Sequence, residues 1–280
     1  MFKKTKIFFF NYFLKVLNFL PPKYSCLLSN FRQIIMNRKV RFFYLKDLNL
    51  YKVKSDNLSM YFFDKMRGFN TYAYGIKERA VSLAATYNLN LIKFSENDVV
   101  IDCGANYGDL YAWTLINNCK INYISFEPSP KDFKCVELNC LGQKNNNIAL
   151  SNKIGKTEFY LKTDSGDSSL LEPAEGFTEI IEIETTTLKE FVIKNKINHI
   201  KFLKLEAEGF EPEILNGSKD VLNRIEYIGV DGSPERGPKA ETTIDYAIKF
   251  LTENNFKMIG SNIYNQYAKA LFKNQNFKNL

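Results

Sequence analysis

Histidine is almost missing from this chain of 280 residues: His199 is the only one, and Trp113 the only tryptophan. A single imidazole excludes every catalytic or metal-binding arrangement that needs two, and any Cys–His hydrolase would rest on His199 alone. Cysteine is scarce as well. Cys26, Cys103, Cys119, Cys135 and Cys140 form an odd set with no C-x-x-C pair, which argues against a zinc site or a disulfide framework and for reduced thiols in a cytoplasmic protein. Long apolar runs are lacking too. The most hydrophobic stretch, residues 5–20 (TKIFFFNYFLKVLNFL), is broken by Asn11, Lys15 and Asn18, is too short to span a bilayer and has no small-residue cleavage site after it. What is present suits a buried core: 45% hydrophobic and 25% charged residues exclude disordered and low-complexity classes.

Charge is unevenly spread. Residues 1–56 hold twelve Lys and Arg against Asp47 and Asp56, whereas the remaining 224 hold 26 basic and 29 acidic groups. The chain therefore reads as a basic, aromatic extension over 1–76, helical or irregular, followed by a mildly acidic domain over 77–280. Asn11, Lys15 and Asn18 fall on one helical face, so residues 5–20 are expected as an amphipathic helix ended by Pro21-Pro22. Two readings of it stand. Residues 1–22 either touch anionic lipid, which would hold the protein at the inner face of a membrane, or pack on the main domain or on a second subunit of a homo-oligomer.

From Lys77 onward, helical and strand patterns alternate. A helix over Lys77–Leu89 precedes a strand at Asp98–Cys103, a helix at Asp109–Asn118, a strand at Ile121–Phe126, a helix at Pro130–Leu141 and a short strand at Asn147–Leu150. Thr157–Lys162 and Thr178–Glu184 alternate polar and apolar residues and are expected as an inserted antiparallel pair. Helices at Thr187–Lys194, Glu211–Leu222 and Glu241–Asn254 then alternate with strands at Ile200–Leu205 and Tyr227–Val230, and Lys257–Gly260 and Tyr267–Phe272 close the chain as strands. This order predicts an α/β fold with a mainly parallel sheet covered on both faces.

Two features at the ends of the first two strands point to a cofactor. In VVIDCGANYGDL, Asp102 ends a strand and Gly104 and Gly108 occupy the turn into a helix, where backbone must approach a ligand or adopt positive φ. The spacing is not the G-x-G-x-x-G of a pyrophosphate site, and Asp109 would repel phosphate at the helix start. Glu127, 25 residues after Asp102, is placed to accept both hydroxyls of a ribose. A nucleoside-bearing cofactor without phosphate, such as S-adenosylmethionine, meets both requirements.

The segments V-V-I-D-C-G-A-N-Y-G-D (99–109), F-E-P-S-P (126–130) and F-L-K-L-E-A-E-G-F-E (202–211) resemble, in that order, the FkbM-type S-adenosylmethionine-dependent methyltransferases. The resemblance covers roughly residues 77–255. It implies a class I methyltransferase (Rossmann-like) fold of seven strands with the last antiparallel, and O-methylation of a hydroxyl on a sugar, such as one in a cell-surface glycan, or on a related small molecule. It implies that Asp102, Gly104, Asn106 and Gly108 line the methionine end of the cofactor, that Glu127 holds the ribose, and that Asn147 and Ala149 flank the adenine. The family usually has Asp where this chain has Glu206.

Lys204, Glu206, Glu208 and Glu211 crowd one strand end, and Asp231 ends the next strand. A hydroxyl needs an acceptor for its proton, so Glu206, Glu208, Lys204 and Asp231 are the catalytic candidates, with His199 behind them. Clustered carboxylates could instead hold Mg²⁺; Glu211 also suits a helix N-terminus. An NAD-dependent oxidoreductase would share Glu127 but lacks the glycine fingerprint. A nucleic-acid-binding or nucleic-acid-methylating protein would explain the basic arm, but the main body is acidic, so no nucleic-acid partner is expected.

Overall fold

A computed structural model describes residues 17–162, 166–264 and 267–277. Most of the amphipathic segment expected over 5–20 lies outside the described residues. The chain forms two compact units, residues 1–79 and 80–280.

The first unit is more regular than the sequence suggested. A helix, α1 (Pro22–Ile35), is followed by strands β1 (Val40–Leu45), β2 (Leu50–Ser55) and β3 (Leu58–Phe62) and by a short helix, α2 (Lys65–Thr71). The strands form an antiparallel meander in the order β1-β2-β3. Asp56, at φ +52, makes the two-residue turn from β2 to β3. Phe42, Tyr51, Phe62 and Phe69 build an aromatic core, with Phe42 and Phe69 ring centres 4.8 Å apart. Gly68 lets α2 approach it, because a Cβ there would lie 1.9 Å from the Phe62 ring.

Helix α3 (Ile76–Thr86) spans the point in the sequence where the first unit ends, and the second unit then follows the expected alternation. Its strands are β4 (Val99–Cys103), β5 (Asn122–Phe126), β6 (Lys144–Asn146), β10 (Ile200–Leu205), β11 (Ile225–Asp231), β12 (Phe256–Tyr264) and β13 (Tyr267–Asn274). They lie in the order β12-β13-β11-β10-β4-β5-β6. The β11–β10–β4–β5–β6 run is parallel, and β13 is antiparallel to both β11 and β12. This matches the expected sheet of seven strands with the last antiparallel. Its central strands are mostly apolar because both faces are covered, with charged residues kept toward the strand ends. On one face, α6 (Leu188–Lys194), α7 (Glu211–Ser218) and α8 (Ile244–Glu253) bury Leu188, Phe191, Ile214, Leu215 and Leu251. On the other, α4 (Asp109–Ile116), α5 (Pro130–Asn139) and the Leu83–Leu89 region bury Leu110, Val136 and Tyr87.

One strand differs from expectation. The third parallel strand is Lys144–Asn146, not Asn147–Leu150. Ala149 and Leu150 instead form β7, which joins β8 (Gly155–Leu161) and β9 (Glu179–Thr186) in a separate sheet of order β7-β9-β8. The polar Lys-Asn-Asn run hid a strand that is held at its edge by β5 alone. β8 and β9 are the expected antiparallel pair.

Candidate active site

The carboxyl edge of the sheet gathers the candidate residues. Between β4 and α4 the chain turns through Gly104 at φ +76, Asn106 at φ +52 and Gly108 at φ +85. Gly104 is obligatory on space as well as φ, since a Cβ would fall 1.8 Å from the carbonyl oxygen of Glu206. Glu127, buried just past β5, holds this loop open: its Oε2 accepts from the Asn106 amide at 2.8 Å and its Oε1 from the Ser129 amide at 2.9 Å. Asn147 donates from its side-chain amide to the carbonyls of Glu127 (2.8 Å) and Pro128 (3.1 Å), bracing the same turn. Ala149 is buried in β7 with its side chain packed among Phe159, Leu161 and Ile183, so only its backbone remains for an adenine.

Asp102 lies beneath the loop with both oxygens engaged. Oδ1 accepts from the Lys204 ammonium at 2.9 Å and Oδ2 from the Tyr123 hydroxyl at 2.5 Å. Lys204 also donates to the Gly104 carbonyl at 2.9 Å and pairs with Glu206 Oε2 at 2.8 Å. Glu206 Oε1 lies 2.6 Å from Lys269, which reaches Asp231 at 2.6 Å. Asp231 in turn accepts from the amide and hydroxyl of Ser233. Five alternating charges, Asp102–Lys204–Glu206–Lys269–Asp231, thus cross four adjacent strand ends. Register explains it: Lys204 is opposite Asp102, and Asp231 opposite Lys269. Beneath them the buried Tyr87 ring lies 4.7 Å from the Lys269 ammonium.

This network bears on three of the catalytic expectations. Burial disfavours the Lys204 charge, but Asp102 and Glu206 more than offset it and raise its pKa, so the ammonium keeps its proton. Burial pushes Glu206 up, yet Lys204 and Lys269 outweigh it and hold the carboxyl well below the usual range, which makes it a weak base. Asp231 is raised by burial and by Glu206, but its oxygens are taken by Lys269 and Ser233. His199 stands at the start of β10, at the opposite edge of the sheet, roughly 17 Å of strand away from Lys204, beside Glu226 at 3.4 Å.

Glu211 serves the loop after β10. Its Oε1 accepts from the amides of Ala207 (2.8 Å) and Gly209 (3.3 Å), and its Oε2 from the Thr243 hydroxyl (2.8 Å). Glu208 sits in the same loop at φ +49. Its Oε2 and that of Glu235 are buried with no hydrogen-bond partner among the described residues. Burial first and neighbouring carboxylates second raise both: Glu208 well above the ordinary carboxylate value, with Glu235 and then Asp167 as neighbours, and Glu235 to about 9, with Asp231 and then Glu206 as neighbours. Glu235 escaped the sequence reading. It lies four residues past Asp231 in a segment without strand or helix, and only the fold brings it to Glu208. Among the described residues no group of three or more His, Cys, Asp or Glu is placed to hold a metal ion, so the Mg²⁺ expectation finds no ligand set there.

Known proteins bear on this edge of the sheet. The hexuronic acid methyltransferase AglP of Haloferax volcanii is 28% identical over 59% of this chain and 68% of its own. The 2-O-methyltransferase NoeI of Sinorhizobium fredii is 21% identical over 59% of this chain and 75% of its own. Among solved structures, a precorrin-6y C5,15-methyltransferase from Geobacter metallireducens aligns with a TM-score of 0.40 and 9% identity over 70% of this chain and 87% of that one. The family model of the methyltransferase FkbM domain matches residues 102–258, from the aspartate beneath the glycine loop to the first residues of β12. That span takes in the loop, Glu127, Lys204, Glu206, Glu208 and Glu235, sets aside the oxidoreductase alternative, and establishes that the chain belongs to the FkbM methyltransferase family.

Proposed function

We propose that the protein methylates a hydroxyl of a sugar, with S-adenosylmethionine as donor. The observation that carries the reading is the joint made by Glu127 and the Gly104–Gly108 loop. A carboxylate offers about four acceptor sites and can serve the Asn106 and Ser129 amides together with a ribose diol. The loop itself has no Cβ where Gly104 meets Glu206, so backbone can line the methionine end closely. Asp102 and Lys204 support that loop from below rather than from the cofactor side. When bound, S-adenosylmethionine supplies an electrophilic methyl group. The names of the relatives, one acting on a hexuronic acid and one on a 2-hydroxyl, support a sugar as acceptor.

The protein's part in the chemistry is to orient the acceptor and take its proton. Of the carboxylates at this edge, Glu208 and Glu235 are the two that each keep a buried oxygen with no hydrogen bond among the described residues, and we assign proton acceptance to them. The Glu235 carboxyl raises that of Glu208, so ionising one makes ionising the other harder.

Calorimetry with S-adenosylhomocysteine tests the cofactor site. Glu127→Ala should weaken binding by about 2–4 kcal/mol, because the ribose contacts and the loop's anchor go together. Equal affinity in the variant and the parent would remove the ribose assignment. Transfer of labelled methyl groups to uronic-acid oligosaccharides, against neutral ones and single-stranded oligonucleotide, tests the acceptor class.

A further inference from the structure

The outward face of α1 is apolar and its inward face polar, the reverse of a helix on an ordinary soluble domain. Ser25, Cys26, Ser29 and Gln33 are buried. Tyr24, Leu27, Phe31 and Ile34 are 59%, 67%, 59% and 59% exposed. Those four recur at i, i+3, i+7 and i+10 and therefore form one stripe. Ile35 and Met36 extend it at one end, and Phe19, also exposed, precedes it. The stripe cannot roll inward. Asn30 fixes the helix against β1 by exchanging hydrogen bonds with both the amide and the carbonyl of Phe42, at 2.7 and 2.9 Å, and the Ser25 hydroxyl donates to the Leu17 carbonyl at 3.1 Å.

We infer that this stripe is a docking surface for an anionic lipid bilayer. Charge selects that occupant. Residues 1–56 carry twelve basic groups against two acidic ones, and Lys23 and Lys39 stand exposed at the two ends of the helix. A bilayer surface satisfies both properties at once: aromatic and aliphatic side chains enter the acyl boundary while lysines meet lipid phosphates. A second copy would set the same basic surface against itself across a two-fold axis. Residues 1–16 of the same chain add Lys3, Lys4, Lys6 and Lys15 and no acid, so they reinforce the attraction to anionic lipid. No described helix is long and apolar enough to cross a membrane; α1, about 21 Å long, would lie along the surface.

Flotation of the full chain with phosphatidylcholine vesicles, with and without phosphatidylglycerol, tests this. The parent should float with the anionic vesicles and be released by salt. Leu27→Ser with Phe31→Ser should reduce the bound fraction roughly tenfold or more, and Lys23→Glu with Lys39→Glu should weaken the preference for phosphatidylglycerol. All four positions are exposed, and circular dichroism verifies that the variants stay folded. A parent that fails to float, or a Leu27/Phe31 variant that floats equally well, overturns the proposal. So does a parent dimer in light scattering that the same variant dissociates, since the stripe would then belong to a second copy.

Discussion

At the scale of single residues, the chain puts its ionisable groups to two opposed uses. Glu206 lies between two lysines and is held charged, whereas Glu208 and Glu235 each keep a buried oxygen without such a partner and resist ionisation. The cost of the second arrangement has a sign. A carboxyl raised from its ordinary 4.5 to about 9 holds a proton in the folded protein that the unfolded chain releases. Its contribution is therefore intact below about pH 4.5 and is lost as pH rises toward 9. Glu235→Gln should flatten that slope and stabilise the protein at pH 8 by roughly 1–3 kcal/mol, read from melting curves across pH. The same change removes the carboxyl that raises Glu208, so the rising limb of kcat against pH should move to lower pH. Glu208→Gln should lower kcat by about 10²-fold or more while leaving affinity for S-adenosylhomocysteine unchanged. A stabilised Glu235→Gln enzyme with an unshifted limb, or a fully active Glu208→Gln enzyme, would assign both carboxylates to structure.

At the scale of elements, Lys204 is the tie between β10 and the loop after β4. Its ammonium reaches Asp102, Glu206 and the Gly104 carbonyl together. Lys204→Met should cost about 3–5 kcal/mol in denaturant unfolding, because two carboxylates lose their partner, and should also loosen the cofactor loop. Adding Asp102→Asn and Glu206→Gln should recover part of the stability; no recovery would mean that packing, not charge, is what Lys204 supplies. How much of this was legible in the sequence follows from where each signal resides. The parallel sheet, the glycine turn and Glu127 were readable because strand ends and turn glycines are local. The ion network was not: Lys204 and Asp102 are 102 positions apart, and only the β10–β4 register sets them opposite. The meander in the first unit did carry a signal in Tyr51-Lys52-Val53-Lys54, which alternates as a strand should. Aromatic residues on both faces of the neighbouring Arg41-Phe42-Phe43-Tyr44 obscured the period.

At the scale of the whole molecule, charge and chemistry are divided between the two units. The cofactor loop, Glu127, the five-charge network and the Glu208–Glu235 pair all fall within residues 80–280. The exposed apolar stripe and most of the positive excess fall within residues 1–79. Sites that share no partner respond independently, to within about 0.5 kcal/mol. A chain beginning at Gly75, just ahead of α3, should therefore bind S-adenosylhomocysteine within about threefold of the full protein by calorimetry. It should no longer float with anionic vesicles. The two readouts separate the roles of the units. If the shortened chain still unfolds cooperatively but has lost cofactor affinity by much more than that, the first unit completes the cofactor site. If it keeps vesicle binding, the lipid-seeking surface lies in the acidic unit, against the charge argument. Retained cofactor affinity with lost flotation is the expected pair, because one unit carries the chemistry and the other carries the charge and apolar surface suited to a membrane.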